Sequence, residues 1–147
     1  PQLNITAEQK EAVAQKQFDN ANLSYNQNQF EQAIEAYLLV VNQYPDETRS
    51  INGIGNMVRA ACKLSLRAQT PEDKEYYKLL EQVFVGHLAE RFSDKGVLVV
   101  EAGGNEMLGL VQFYRENNMT ASADKIQKLY YYIFLLIPFC VLMVEIH

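Results

Sequence analysis

Tyr25-Asn26-Gln27-Asn28-Gln29-Phe30-Glu31-Gln32-Ala33-Ile34-Glu35-Ala36-Tyr37, running on through Val40 to Tyr44-Pro45-Asp46, is the stretch whose reading decides the fold. Phe18, Ala21 and Tyr25 recur at three and four residues and form one apolar helical face. Phe30, Ala33, Ile34, Tyr37, Leu38 and Val41 do the same on a second helix. The four-residue link Asn26–Gln29 has no apolar anchor, and an Asn there can take the left-handed conformation that closes a helix. Two helices joined so tightly lie antiparallel. Ala33 is small where the two backbones approach. A generic helical hairpin satisfies these residues, and so does a repeat unit.

The same residues resemble the tetratricopeptide (TPR) repeat family. Its pattern places a small residue and an aromatic on the first helix, then an aromatic at the turn. An Ala, another aromatic and a Pro follow on the second helix. Ala21, Tyr25, Phe30, Ala33, Tyr37 and Pro45 stand at those places. The resemblance implies an all-α chain of antiparallel helix-turn-helix pairs in a right-handed superhelix. It also implies a non-enzymatic interaction scaffold whose groove, lined by the first helix of each pair, takes a protein or peptide.

Working outward, Thr6 and Gln9 predict a capping box ahead of the first helix, and Pro45 ends the second. Ile51, Ile54, Met57, Val58, Ala61, Cys62 and Leu64 predict a third helix over about Glu47–Ala68. Thr70-Pro71-Glu72-Asp73 is a strong helix start, with a Thr cap, Pro at the first position and acids in the first turn. That fourth helix closes near Arg91-Phe92-Ser93-Asp94. A fifth runs from about Val97 to Glu116, with a turn at Asn117-Asn118. Ala123, Ile126, Tyr130 and Ile133 repeat the spacing of Phe30, Ala33, Tyr37 and Val40 at an offset of 93. The chain thus reads as one domain over residues 1–147, with pairs at about 7–45, 47–94 and 96–138 and an apolar segment at 139–147. The period, near 47, exceeds the ~34 of the family, which calls for longer helices or insertions.

Net charge is −5, which argues against a nucleic-acid partner. Charge is unevenly spread: Arg49, Arg59, Lys63 and Arg67 stand in an acid-free run from Thr48 to Pro71. Cys62 and Cys140 are too far apart for a zinc pair or redox motif and read as buried thiols rather than a disulfide. Compartment stays open between cytoplasm and bacterial periplasm. Residues 1–11 are polar and do not read as a secretory leader, although a removed leader would leave the same sequence.

Enzymatic constellations are scarce, so no catalytic residue, metal or cofactor is expected. His87 and His147 are the two histidines, and no HExxH or CxxC spacing occurs. His87, among apolar neighbours, reads as a core or boundary residue. Gly103-Gly104-Asn105 lacks the Lys and preceding strand of a phosphate loop, so close helix packing or a kink explains it better.

For partner binding, the resemblance points to the polar side of the first helix: Gln15, Asp19, Asn22 and Asn26, with Tyr25 beside them. Asn22 stands where peptide-binding members of the family use Asn to hold a ligand backbone. Phe18 replaces the first lysine of the family's carboxylate clamp, so a terminal-carboxylate ligand is not implied. On the third helix Arg49, Asn52, Asn56, Arg59 and Lys63 share one face. Three cations and two amides suit an acidic or polar extended peptide. A solvated helix face is the alternative.

Leu129–Val144 carries no charge, yet it falls short of the ~18 residues expected of a spanning helix, and Pro138 divides it. A membrane-tethered assembly factor is therefore the alternative to a scaffold. In the scaffold reading the last helix is apolar all round up to Ile137. Tyr130, Tyr131, Phe134, Leu135 and Phe139 then form a self-association surface that could pair two copies.

Overall fold

The computed structural model describes residues 4–45, 47–91 and 97–136, which form six α-helices with no strand among the described residues. They are α1 (Ala7–Asn26), α2 (Phe30–Gln43), α3 (Thr48–Arg67), α4 (Pro71–Glu90), α5 (Val97–Glu116) and α6 (Thr120–Tyr131). A π-helical turn, Tyr132–Leu136, continues α6. Phe139, Cys140 and the 139–147 segment lie outside the described residues. No helix among the described residues is long and apolar enough to cross a membrane.

Local chemistry sets the helix ends. Thr6 Oγ1 accepts from the Gln9 amide at 3.1 Å, and Gln9 Oε1 accepts from the Thr6 amide at 2.9 Å. That is the capping box, which satisfies two donors a helix start leaves bare. Thr70 Oγ1 accepts from the Asp73 amide at 3.1 Å, with Pro71 in the first turn, where a missing N–H costs nothing.

The α1–α2 and α5–α6 turns share one geometry. Asn28 and Asn118 have φ of 61° and 58°, the left-handed region that Asn tolerates better than most residues. The Gln29 amide donates to Ser24 O, and the Met119 amide donates to Tyr114 O. Ala33 and Ala123, both fully buried, follow at the same distance. The structural offset between first and third pairs is therefore 90 residues, not the 93 expected from apolar spacing. A three-residue slip keeps side chains on nearly the same helical face, so periodicity alone does not distinguish the two.

The helices pack antiparallel in sequential pairs. α3 is the centre: it packs on α2, on α4 and on α5, and touches α1. Its core face carries Ile51, Ile54, Met57, Val58, Ala61 and Leu64, each buried. Gly53 lets α2 come close, since a Cβ there would stand 3.2 Å from Tyr37 Cδ1. α2 and α4 run side by side in the same direction. Tyr77 Oη donates to Glu31 Oε1 at 3.1 Å near their starts, and Arg91 Nη1 donates to Pro45 O at 2.9 Å near their ends.

One reading is corrected. His87 is not in the core: its side chain is 52% exposed, 3.8 Å from Glu90. α4 spreads apolar residues round most of its circumference, and Tyr76, Leu79 and Val83 also face solvent. Apolar neighbours along this helix therefore do not mark His87 as buried. Phe84 and Leu88 mark its buried side.

Asn28→Ala should destabilise the chain by ~1 kcal/mol, because a β-carbon without a local hydrogen-bonding side chain is disfavoured in that region. Asn28→Gly should be neutral or stabilising. Urea unfolding midpoints of the two variants check this.

Candidate functional site

The first helices α1, α3 and α5 form one side of the molecule, and a chain of hydrogen bonds crosses it. Arg59 Nη1 donates to Asn56 Oδ1 at 3.0 Å, and Asn56 Nδ2 donates to Tyr37 Oη at 3.0 Å. The Tyr37 hydroxyl donates in turn to Asn22 Oδ1 at 2.5 Å. At the other end Arg59 Nη1 donates to Glu106 Oε1 at 2.5 Å. Side chains from α1, α2, α3 and α5 are thereby joined. Each of the four residues Arg59, Asn56, Tyr37 and Asn22 thus has at least one partner, as partly buried polar groups require.

Burial shows in the titration of these groups. Tyr37 is pushed up to about 12 by loss of solvent, with the Asn56 hydrogen bond opposing. Glu106 is raised above the usual carboxylate range by burial, with Arg59 pulling it back. Glu106 lies directly over Gly55, where an added Cβ would overlap its side chain. Gly55 therefore provides the space that lets the acid reach Arg59.

Of the seven residues predicted to bind a partner, Asn26 is exposed, and Asn22, Tyr25, Asn52, Asn56, Arg59 and Lys63 are half-buried. Asn22, Asn56 and Arg59 are held in the internal chain just described. Tyr25 packs edge-on to Phe30, with ring centroids 5.6 Å apart. Lys63 Nζ stands 5.7 Å from the Phe30 ring centre and pairs with no carboxylate among the described residues. Asn52 opens onto a hollow of about 350 Å³ shared with Thr48, Glu101 and Asn105.

The basic stripe is largely met from within. Arg49 Nη2 lies 2.8 Å from Glu11 and 2.6 Å from Glu47. Arg67 donates to Asn28 O at 3.3 Å and stacks over Phe30. Sequence reasoning missed Glu106, because its partner is 47 residues away on another helix. The one available signal was Gly55, a helix-breaking residue placed one turn before Arg59 on a helix.

A second buried cluster joins α3, α4 and α5: Cys62, Glu81 and Tyr114. Burial pushes the Cys62 thiol up to about 12 and raises Tyr114 further. Glu81 is raised by burial, with the nearby Tyr114 hydroxyl and Cys62 thiol opposing, and its buried Oε2 has no hydrogen-bond partner among the described residues. Such a thiol is unreactive as a nucleophile. Tyr130 stacks on Phe134 with centroids 4.9 Å apart, and both rest against Gly104, whereas Tyr131 is exposed. Leu135 lies in the π-helical turn. Among the described residues no group of three His, Cys, Asp or Glu side chains could hold a metal ion.

Comparison with protein-family models, with curated proteins and with solved structures finds no match to this chain.

Gly55→Ala should cost ~1–3 kcal/mol by overpacking, since Glu106 must leave Arg59. Combining it with Glu106→Ala should make the added Cβ itself nearly harmless, so the double variant should be little worse than Glu106→Ala alone. Chemical unfolding of the three proteins reads this. The raised Glu81 has its own signature. A carboxyl whose folded-state pKa exceeds its unfolded value stabilises fully below the unfolded pKa, and that contribution is lost as pH rises through the folded one. Wild type should thus lose stability relative to Glu81→Gln as pH rises above the ordinary carboxylate range, about 4.3, measured by unfolding midpoints across a pH series.

Proposed function

We propose that this chain is a TPR-like, non-enzymatic scaffold whose α1–α3–α5 side forms a right-handed groove for a protein or peptide ligand. The observation that carries this is the placement of α3 between α1 and α5, with polar side chains of all three joined through the chain from Asn22 to Glu106 and Asn52 and Asn105 sharing one hollow. That leaves Asn26, Asn52, Lys63 and Asn105 presenting amides and one cation. Side-chain amides offer a donor and an acceptor together, which suits an extended peptide backbone. Arg49 and Arg59 are already engaged by Glu11, Glu47 and Glu106, so the ligand is polar rather than strongly acidic.

The internal chain divides these residues into two kinds. Asn22, Asn56 and Arg59 hold helices together, and truncating them removes structure along with any ligand contact. Asn26, Asn52 and Lys63 are free of that role. A protein carrying Asn26→Ala, Asn52→Ala and Lys63→Gln should stay folded, with a melting temperature within ~4 °C of wild type, because none of the three bonds one helix to another. In affinity capture from source extract, it should lose a protein that wild type retains. Equal recovery by both would remove the groove from consideration. Arg59→Ala should instead lower the melting temperature by several degrees, consistent with removal of one partner of a mostly buried pair.

A further inference from the structure

A second groove lies between α2 and α4, over a different face of α3 from the one carrying Asn56 and Arg59. It encloses about 340 Å³, and Ile34, Leu38, Leu64, Tyr76, Leu80 and Phe84 line it. Its floor of Ile34, Leu64 and Phe84 is buried, and its outer edge is open to water, with Leu38 36% exposed and Tyr76 58%. An accessible apolar strip of this kind marks an interaction surface more often than an inert one.

Among the residues that line it, the charged ones are all acids. Glu31 and Glu35 edge it on the α2 side. On the α4 side Asp73 stands near enough to Tyr77 to act on its phenol. No Lys or Arg is among the lining residues. Lys78 belongs to the other side of α4, where it acts on Glu81. Both helices pack on α3, and the Tyr77–Glu31 and Arg91–Pro45 hydrogen bonds join α2 to α4 near both ends. Walls already joined spare a ligand part of the ordering cost of binding.

We propose that this groove docks an amphipathic helix of a partner protein, one whose large apolar side chains are flanked by Lys or Arg. The apolar floor takes the anchors at helical spacing, and the carboxylate rim selects basic flanks. The same rim repels an anionic lipid surface.

The test uses a fluorescein-labelled 16-residue Leu/Lys peptide with Leu on one helical face, titrated against the full chain by anisotropy. Two control peptides share its length: one with the same composition in scrambled order, one with Glu in place of Lys. The amphipathic Leu/Lys peptide should bind wild type at least ten-fold more tightly than either control. Glu35→Lys and Tyr76→Ser should each weaken it by about five-fold or more, whereas Glu8→Lys, a charge-matched change on exposed α1, should alter it less than two-fold. Circular dichroism melting confirms that each variant is folded. Equal weakening by Glu35→Lys and Glu8→Lys, or equal binding of the scrambled peptide, would reduce the effect to overall charge and overturn the proposal. So would sedimentation showing a wild-type dimer that Tyr76→Ser dissociates, since a second copy would then be the occupant.

Discussion

The arrangement of the helices depends on the run of hydrogen bonds from Arg59 through Asn56 and Tyr37 to Asn22, closed at its other end by Glu106. Apolar packing brings helices together but is nearly indifferent to small rotations about their axes. Directional bonds are not. Each of these has one donor and one acceptor in a defined place, so a rotation of α1 or α5 relative to α3 leaves a partly buried polar group bare. That costs ~1–3 kcal/mol per neutral group and more for the charged pair. At 18% and 13% exposure, Arg59 and Glu106 have lost most of their solvent, so the pair gains little net stability and mainly fixes geometry. Hydrophobic burial supplies the stability, and the polar chain sets the angle.

That division explains the glycines of α3. A helix interior pays roughly 1 kcal/mol for each Gly in place of Ala. Gly53 admits the Tyr37 ring, whose hydroxyl sits mid-chain, and Gly55 admits Glu106, which ends it. Both therefore serve the same network from beneath, one on each side of Asn56. The propensity loss is local, whereas the contacts it permits reach α2 and α5.

What the sequence made legible was what residues close along the chain decide. Thr6 with Gln9, Thr70 with Pro71, and Pro45 marked helix limits because caps and breakers act within a few residues. The Phe30–Tyr37 spacing likewise identified α2 and the antiparallel hairpin. The pairing of the cations was hidden: Arg49 and Arg59 read as a bare basic stripe because Glu11 and Glu106 come from other helices. An acid-free run of sequence is not an acid-free surface. The repeat offset was off by three residues because the turn geometry at Asn28 and Asn118 fixes it, and φ does not appear in an apolar pattern. His87 failed for a related reason, since an amphipathic count cannot choose between two apolar faces of one helix.

α4 is instructive on that last point. Phe84 and Leu88 bury its inner face, yet Tyr76, Leu79 and Val83 keep a second apolar face in water. A helix needed only for stability would carry polar residues there, because exposed large apolar side chains favour unwanted association. α1 differs in having one side made of Gln15, Asp19, Asn22 and Asn26, although Val13 and Leu23 elsewhere on it are exposed. The molecule thus has two unlike surfaces on either side of α3. One is polar and cross-linked by its own hydrogen bonds; the other is apolar, acid-edged and joined near both ends. Because α3 packs against all of the neighbouring helices that define them, occupation of either surface bears on the same central helix.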